Sequence, residues 1–258
     1  MRKTIVAIGG GEIGRIKVYD DGHTEQKPIE TMLIDEKIVK LTGKDHPTLV
    51  FIGAACGDNP AYYTAVKNHF ENRLGARTIN LILTKPTDID IKKTIMNADI
   101  IYIGGGNVTD LMSALHEKHV DKMLIDAYNN GVIMSGNSAG GCVWFESYDN
   151  DEDDDFDGTQ DTLKTKPALG LVKGFFCPHW NQKAKTGIDK DNVSKHAIMQ
   201  MLCDEQKYGY GVDEGAALLI QTDDQGQTIT EIISKTGAKI YKLLKPKQQH
   251  INPGKGRE

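Results

Sequence analysis

The amino-acid sequence predicts an α/β fold: a doubly wound, mostly parallel sheet with helices on both faces and antiparallel additions at one edge. Three observations predict it. Short β-branched runs recur through the first half of the chain and end in glycine or small residues. Near-continuous apolar stretches of that length mark strands buried on both faces. Segments of helical length and spacing separate them, which implies βαβ units with right-handed crossovers. Near the end, "TITEIIS" and "AKIYKLL" are joined by a glycine-containing turn and suit antiparallel edge positions.

The elements follow in order. "TIVAIGGG" (4–11) is the first strand, and "TLVFIGAAC" (48–56) the second. "NPAYYTAVKNHFENRLG" reads as a helix, with Pro60 near its start, Tyr62, Val66 and Phe70 at helical spacing, and Gly75 at its end. "TINLIL" (78–83) and "DIIYIGGGN" (99–107) are strands. The helical segments "NVTDLMSALHEKHV" and "VDKMLIDAYNNG" then lead to the strand-and-turn "GVIMSGNSAGG" (131–141). Residues 1–140 therefore form the doubly wound core. After Trp144 the rhythm changes. "SYDNDEDDDFDGTQD" carries too many like charges to be buried and reads as a solvated loop or hairpin tip. "GLVKGFFCPHW", an amphipathic helix around "KDNVSKHAIMQMLCDE" and "YGYGVDEGAALLIQ" follow, and the last strands extend the same sheet. One domain is expected over residues 1–245, with a polar tail from 246 to 258.

Composition narrows the function classes. The chain has 258 residues, 39% hydrophobic and 26% charged, with a formal charge of −5. That balance argues against a nucleic-acid partner, which needs a clustered basic excess. No apolar run reaches the roughly 18–20 residues of a bilayer span, so no membrane partner is expected. The apolar stretch Ile5 to Ile8 is too short for a signal-peptide core. The scattered Cys56, Cys142, Cys177 and Cys203 suit free thiols, and a cytoplasmic location is expected.

Two glycine-rich strand ends carry the chemistry. "GNSAG" fits G-x-S-x-G, with Gly136, Ser138 and Gly140 in place. A sharp turn from strand to helix exposes the serine Oγ, and the next residue's N–H can face a developing oxyanion. "YIGGGN" (102–107) closes the preceding strand and offers backbone N–H groups at a helix start. It is not a dinucleotide loop, because Gly104, Gly106 and Thr109 lack the third glycine of G-x-G-x-x-G. A serine nucleophile needs a base. His179, behind Pro178 and beside Trp180, ends an apolar run. His46, His69, His116, His119 and His196 lie in polar or helical segments and are expected to face solvent, while His23 and His250 sit in a loop and the tail. A carboxylate should orient the imidazole. Asp213 and Glu214 in "VDEGAAL" either line the cleft or simply form a turn. Cys142 lies beyond the apex of the turn and suits packing better than nucleophilic attack. Asp153, Asp155, Asp157 and Gly158 open like a calcium loop, but Lys164 stands where a bidentate Glu is required, so no metal is expected.

"YIGGGN", "GNSAGG" followed by "WFE" and an acidic stretch, then "FCPHW", together resemble the peptidase S51 family, which includes dipeptidase E and cyanophycinase. The resemblance spans most of residues 1–220 and implies a class I glutamine amidotransferase-like, flavodoxin-like three-layer fold. It implies Ser138 as nucleophile, His179 as base, and backbone N–H groups of Gly105 or Gly106 and of Ala139 as the oxyanion hole, with Asn107 at the substrate. In dipeptidase E the acid follows an Asn shortly after the nucleophile, which points to Asp151 behind Asn150, with Asp149 and Glu146 as rivals. No cofactor is implied. The expected partner is a small peptide, in the dipeptidase E manner Asp-Xaa, whose side-chain carboxylate needs a cation such as Arg15, Lys183 or Lys185. The alternatives are β-linked Asp-Arg received by an acidic-walled cleft, or a non-catalytic binding module. A homo-oligomer is compatible with the sequence.

Overall fold

The computed structural model describes residues 2–149, 162–181, 202–203, 207–235 and 237–244. β1 (Lys3–Ile8) runs through the middle of the molecule, with Ile5, Val6, Ala7 and Ile8 all without solvent exposure. Its side chains alternate between two apolar cores: Ile5 and Ala7 enter one, Val6 and Ile8 the other. β4 (Thr48–Ile52), β6 (Ile100–Ile103) and β7 (Ile133–Asn137) divide in the same way. β5 (Arg77–Leu81) closes that side of the sheet. Strands buried on both faces need helices on both faces, and each buried Ile or Leu contributes about 1.5–3 kcal/mol.

α1 (Met32–Leu41) and α2 (Pro60–Phe70) cover one face through Ile34, Ile38, Val66 and Phe70. α3 (Ile91–Met96), α4 (Val108–Glu117) and α5 (Val120–Asn129) cover the other through Ile95, Leu111, Leu115 and Leu124. Side-chain caps start three of these helices: Asn59, Asp90 and Asn107 each accept a backbone N–H from the first turn. β1, β7, β6, β4 and β5 are parallel; β12 (Ala216–Thr222) pairs antiparallel with β1, and β13 (Thr228–Ser234) pairs antiparallel with β12 at the edge. The order across the seven-stranded sheet is β13-β12-β1-β7-β6-β4-β5. The predicted α/β class and its antiparallel edge are present.

The second half differs from a single continuing sheet. β8 (Phe145–Asp149), β9 (Thr165–Pro167), β10 (Val172–Cys177), β11 (Gly209–Val212) and β14 (Ile240–Leu243) form a separate five-stranded sheet, in the order β14-β11-β10-β8-β9. The cause lies at α6 (Ala139–Cys142), a single turn of helix. After so short an element the chain starts β8 at Phe145 beneath the first sheet, without crossing back to its edge. A β-branched run announces a strand and is silent on which sheet will pair with it. The structure adds α1 and a small exposed hairpin, β2 (Ile16–Val18) with β3 (Thr24–Gln26), to the elements expected from the sequence. Most of the amphipathic segment around residues 190–205, the acidic run 151–161 and the tail 246–258 lie outside the described residues. Among the described residues, no helix is long and apolar enough to cross a membrane.

Candidate active site

Ser138 stands between the end of β7 and the start of α6 with φ 54 and ψ −116. L-residues avoid that backbone region, and holding one there costs roughly 1–3 kcal/mol. Hydrogen bonds enforce the turn: Ser138 N donates to Ile8 O at 2.9 Å, and Gly141 N donates back to Ser138 O at 2.8 Å. The flanking glycines are obligatory. A Cβ on Gly136 would lie 2.0 Å from Gly140 O, and one on Gly140 would lie 2.2 Å from Ile103 O. The G-x-S-x-G spacing is thus the local condition for folding a sharp turn that lifts the serine out of the sheet.

His179 reaches this serine from the other sheet. It stands two residues after the end of β10, with φ 55, and its N–H donates to Gly9 O at 2.7 Å. That bond draws the end of β10 against the end of β1. Gly10 leaves room for the ring, since a Cβ there would come within 2.6 Å of His179 Nδ1 and Cε1. His179 Nε2 lies 2.8 Å from Ser138 Oγ, and Nδ1 lies 2.8 Å from Glu214 Oε1. An ionised carboxylate only accepts hydrogen bonds, so Nδ1 carries the hydrogen and Nε2 is left to accept the Ser138 hydroxyl.

Glu214 comes from the tight turn between β11 and β12. Gly215 N donates to Gly10 O and Gly9 N donates to Ala216 O, both at 2.9 Å, which staples this turn to the glycine loop after β1. Glu214 N donates to Asn181 Oδ1 at 3.0 Å. Its neighbour Asp213 turns inward instead, accepting Lys239 N through Oδ2 at 2.9 Å. The imidazole and Glu214 side chains are 34% and 24% exposed, so the chain of three groups opens onto solvent from one side.

Backbone donors surround the serine. Gly105 sits over it, so that a Cβ there would approach Ser138 Cβ at 3.2 Å. The Gly105 N–H is already engaged, donating to Tyr62 Oη at 3.2 Å. The Gly106 and Ala139 N–H groups donate to nothing else among the described residues. A cavity of about 710 Å³ opens here, lined by Ser138, His179, Glu214, Asn137, Tyr62 and Cys56 among others. Arg15 and Glu12 stand on its wall in an ion pair of 2.7 Å. Glu30, also on the wall, pairs with Lys235 at 2.7 Å, which holds its carboxyl below the usual range. A second groove of about 550 Å³, between α4 and the Leu83–Pro86 loop, shares none of these residues.

The sequence-predicted residues are therefore distributed as follows. Ser138, His179, Gly105, Gly106 and Ala139 come together around the turn. Asp151, Lys183 and Lys185 lie outside the described residues. Glu146 is turned away from His179 and accepts Gly174 N at 2.7 Å, while Asp149 is buried at the end of β8. Asn107, expected at the substrate, caps α4 by accepting Asp110 N at 2.9 Å and does not line the cavity. Its place at a helix N-terminus explains that. His69, expected at the surface, has no exposure at all, because it shares the inner face of α2 with Ala65, Val66 and Phe70. Cys142 is buried behind the turn, its Sγ 3.5 Å from Phe176 O. Two residues that touch this arrangement were not assigned to it by the sequence: Glu214, bonded to His179, and Tyr62, bonded to the Gly105 N–H. Glu214 had one signal, an acid directly before an apolar strand at a sheet end, but nothing in it named His179 as its partner.

The family model for peptidase family S51 matches residues 21–229 of this chain. The chain is 30% identical over 247 residues to the uncharacterized peptidase YgaJ of Bacillus subtilis (strain 168), covering 94% of this chain and 92% of that protein. It is 25% identical over 135 residues to the uncharacterized peptidase Lin0382 of Listeria innocua, covering 52% of this chain and 65% of that protein. Among solved structures it resembles a peptidase from an acI-B1 Actinobacterium, with a TM-score of 0.66 at 16% identity over 95% of this chain and 92% of the other. It also resembles a putative peptidase E protein from Listeria monocytogenes EGD-e, with a TM-score of 0.59 at 20% identity over 91% of this chain and 100% of the other. At such identities the two structures speak for the fold.

Proposed function

This chain belongs to peptidase family S51 and is a peptidase, and from that premise we propose that it hydrolyses short peptides through an acyl-enzyme on Ser138. The observation that carries the reading is the chain of contacts Ser138 Oγ, His179 and Glu214, with 2.8 Å at each link. His179 Nε2 takes the hydroxyl proton as Oγ attacks the scissile carbonyl carbon. Glu214 keeps the ring in the required tautomer and stabilises the imidazolium that forms. The Gly106 and Ala139 N–H groups receive the carbonyl oxygen as it becomes an oxyanion. Collapse breaks the C–N bond, and His179 returns the proton to the leaving amine. Water then attacks the acyl ester with the same histidine as base, and Ser138 is regenerated.

The substrate is a short peptide with an acidic first residue, Asp-Xaa. The support is Arg15, which stands on the cavity wall and keeps guanidinium N–H groups beyond those given to Glu12. The test is Ser138→Ala assayed on a panel of Asp-, Glu-, Ala- and Leu-Xaa dipeptides together with β-linked Asp-Arg. Turnover lost in Ser138→Ala on every substrate is expected, with Asp-Xaa cleaved best by the wild type. An active Ser138→Ala would sink the serine mechanism. Preferred cleavage of neutral dipeptides would sink only the aspartyl preference, and preferred cleavage of β-Asp-Arg would move the substrate to the cyanophycin type.

A further inference from the structure

The two halves of the oxyanion hole come from different strand ends. Gly106 follows β6 and Ala139 follows β7, and a misplacement of about 1 Å between such groups costs on the order of a hundredfold in rate. Nothing in the Ser-His-Glu chain sets that spacing. Tyr62, in the first turn of α2, is placed to do so. Its hydroxyl accepts the Gly105 N–H at 3.2 Å, and its ring packs edge-on against Phe51 at 5.2 Å between centroids. The phenol also lies beside the amide of Asn137, the residue directly before Ser138. Burial pushes the hydroxyl pKa up, and the Gly105 N–H and the Asn137 amide draw it down less strongly, so the phenol keeps its proton.

Each of the three glycines in "YIGGGN" answers to this arrangement. A Cβ on Gly104 would meet Tyr62 Cε1 at 2.7 Å, one on Gly105 would press on Ser138, and one on Gly106 would lie 2.1 Å from Ala55 O. The start of α2 is itself fixed. Asp58, just before it, accepts Leu83 N, Thr84 N and Thr84 Oγ1 through Oδ2 at 2.8–2.9 Å, and Asn107 N donates to Ala55 O.

We propose that Tyr62 is a positioning residue for the oxyanion hole: its hydroxyl takes up the Gly105 N–H and thereby fixes the adjoining peptide, which carries the Gly106 N–H, relative to the Ser138 turn. The inference rests on Ser138 forming the acyl-enzyme.

Tyr62→Phe keeps the ring and removes only the hydroxyl. The expected result is a fall in kcat of about 10- to 100-fold with KM within a few-fold of wild type. Labelling of Ser138 by a fluorophosphonate, which also places an oxygen in the hole, should slow by the same factor. Tyr63→Phe is the control. Its hydroxyl bonds Thr78 O at 3.4 Å and its ring also stacks on Phe51, so it loses a comparable phenolic contact without touching the glycine loop. It should leave kcat unchanged. A wild-type kcat in Tyr62→Phe, a raised KM with kcat held, or an equal loss in Tyr63→Phe would overturn the inference. Ser138→Ala is assayed alongside: if it is dead while Tyr62→Phe is normal, this inference alone falls, and if it remains active, both fall.

Discussion

Two of the histidine–carboxylate pairs in this protein have nearly the same contact distance, made through different ring nitrogens, and opposite surroundings. His179 meets Glu214 at 2.8 Å, and His69 meets Asp35 at 2.9 Å. The first pair is partly exposed, sits in strand-end turns, and presents its free ring nitrogen to Ser138. The second has no exposure and lies between α1 and α2, with the Thr31 hydroxyl donating to the same Asp35 oxygen at 2.6 Å. Arg73, not a nucleophile, is the neighbour of its other ring nitrogen, at 3.4 Å. A histidine beside an acid is therefore not by itself a catalytic device. What separates the two is the third group and access to solvent: one pair ends on a hydroxyl in a cavity, the other ties two helices together.

The comparison breaks most sharply on activity. His179→Ala should lower kcat by roughly 10⁴- to 10⁶-fold while changing the urea midpoint little. Steady-state rates beside an unfolding curve check both halves, and a variant within tenfold of wild type would remove His179 from the chemistry. Glu214→Gln should follow with a loss of about 10³- to 10⁴-fold in kcat and little change in KM, because the amide can favour the wrong tautomer. Asp151→Asn run in parallel sharpens the assignment. If Asp151→Asn is the more damaging of the two, the orienting acid is Asp151 and Glu214 only lines the cleft.

How much of this was legible in the sequence differs between the two pairs. Ser138 and His179 could be read because their positions are forced locally: glycines that no Cβ can replace bracket the turn, and a Pro and an aromatic bracket the histidine. Glu214 could not be assigned to His179, because the two are 35 residues apart and meet only when β10 and β11 pair in the second sheet. The same limit hid that sheet itself, since strand runs do not name their partners. The polar neighbours Lys67, Asn68 and Glu71 make His69 look like a surface residue in the sequence. The helical repeat that puts it in line with Ala65 and Val66 places it inside. Tyr62 was legible only as a helical apolar position; its hydroxyl's partner is a backbone N–H, which no side-chain pattern can reveal.

His69→Ala should invert the first outcome. Removing one member of a buried pair strands the other and opens a cavity, at a cost of about 3–5 kcal/mol. The folded fraction should keep a near-normal kcat, because His69 lies at the far end of α2 from Tyr62, and the start of that helix is held separately by Asp58. Chemical denaturation gives the stability, and kcat normalised to active sites gives the chemistry. A loss of kcat in a fully folded His69→Ala protein would show that the buried pair couples to the site and would end the contrast.

The smallest expected effect is a change of slope with pH. Burial is the strongest influence on Asp35 and raises its carboxyl pKa above the ordinary value of 3.8, with the bonds from His69 and Thr31 acting in the opposite direction. Tyr102, across the same space on β6, brings no negative charge, because burial and the nearby Asp35 hold its hydroxyl protonated. A raised folded pKa means that the native state binds the Asp35 proton more tightly than the unfolded chain does. The stability this contributes is complete below the unfolded pKa and is lost as pH rises through the folded value. Asp35→Asn cannot titrate there. Wild type should therefore be most favoured over Asp35→Asn near pH 4 and lose part of that margin as pH rises towards 8, measured as urea-unfolding free energies of both proteins. The opposite slope, with wild type gaining on the variant as pH rises, would mean that attraction between an ionised Asp35 and a charged His69 outweighs burial. The buried His69–Asp35 contact would then be a true ion pair tying α1 to α2.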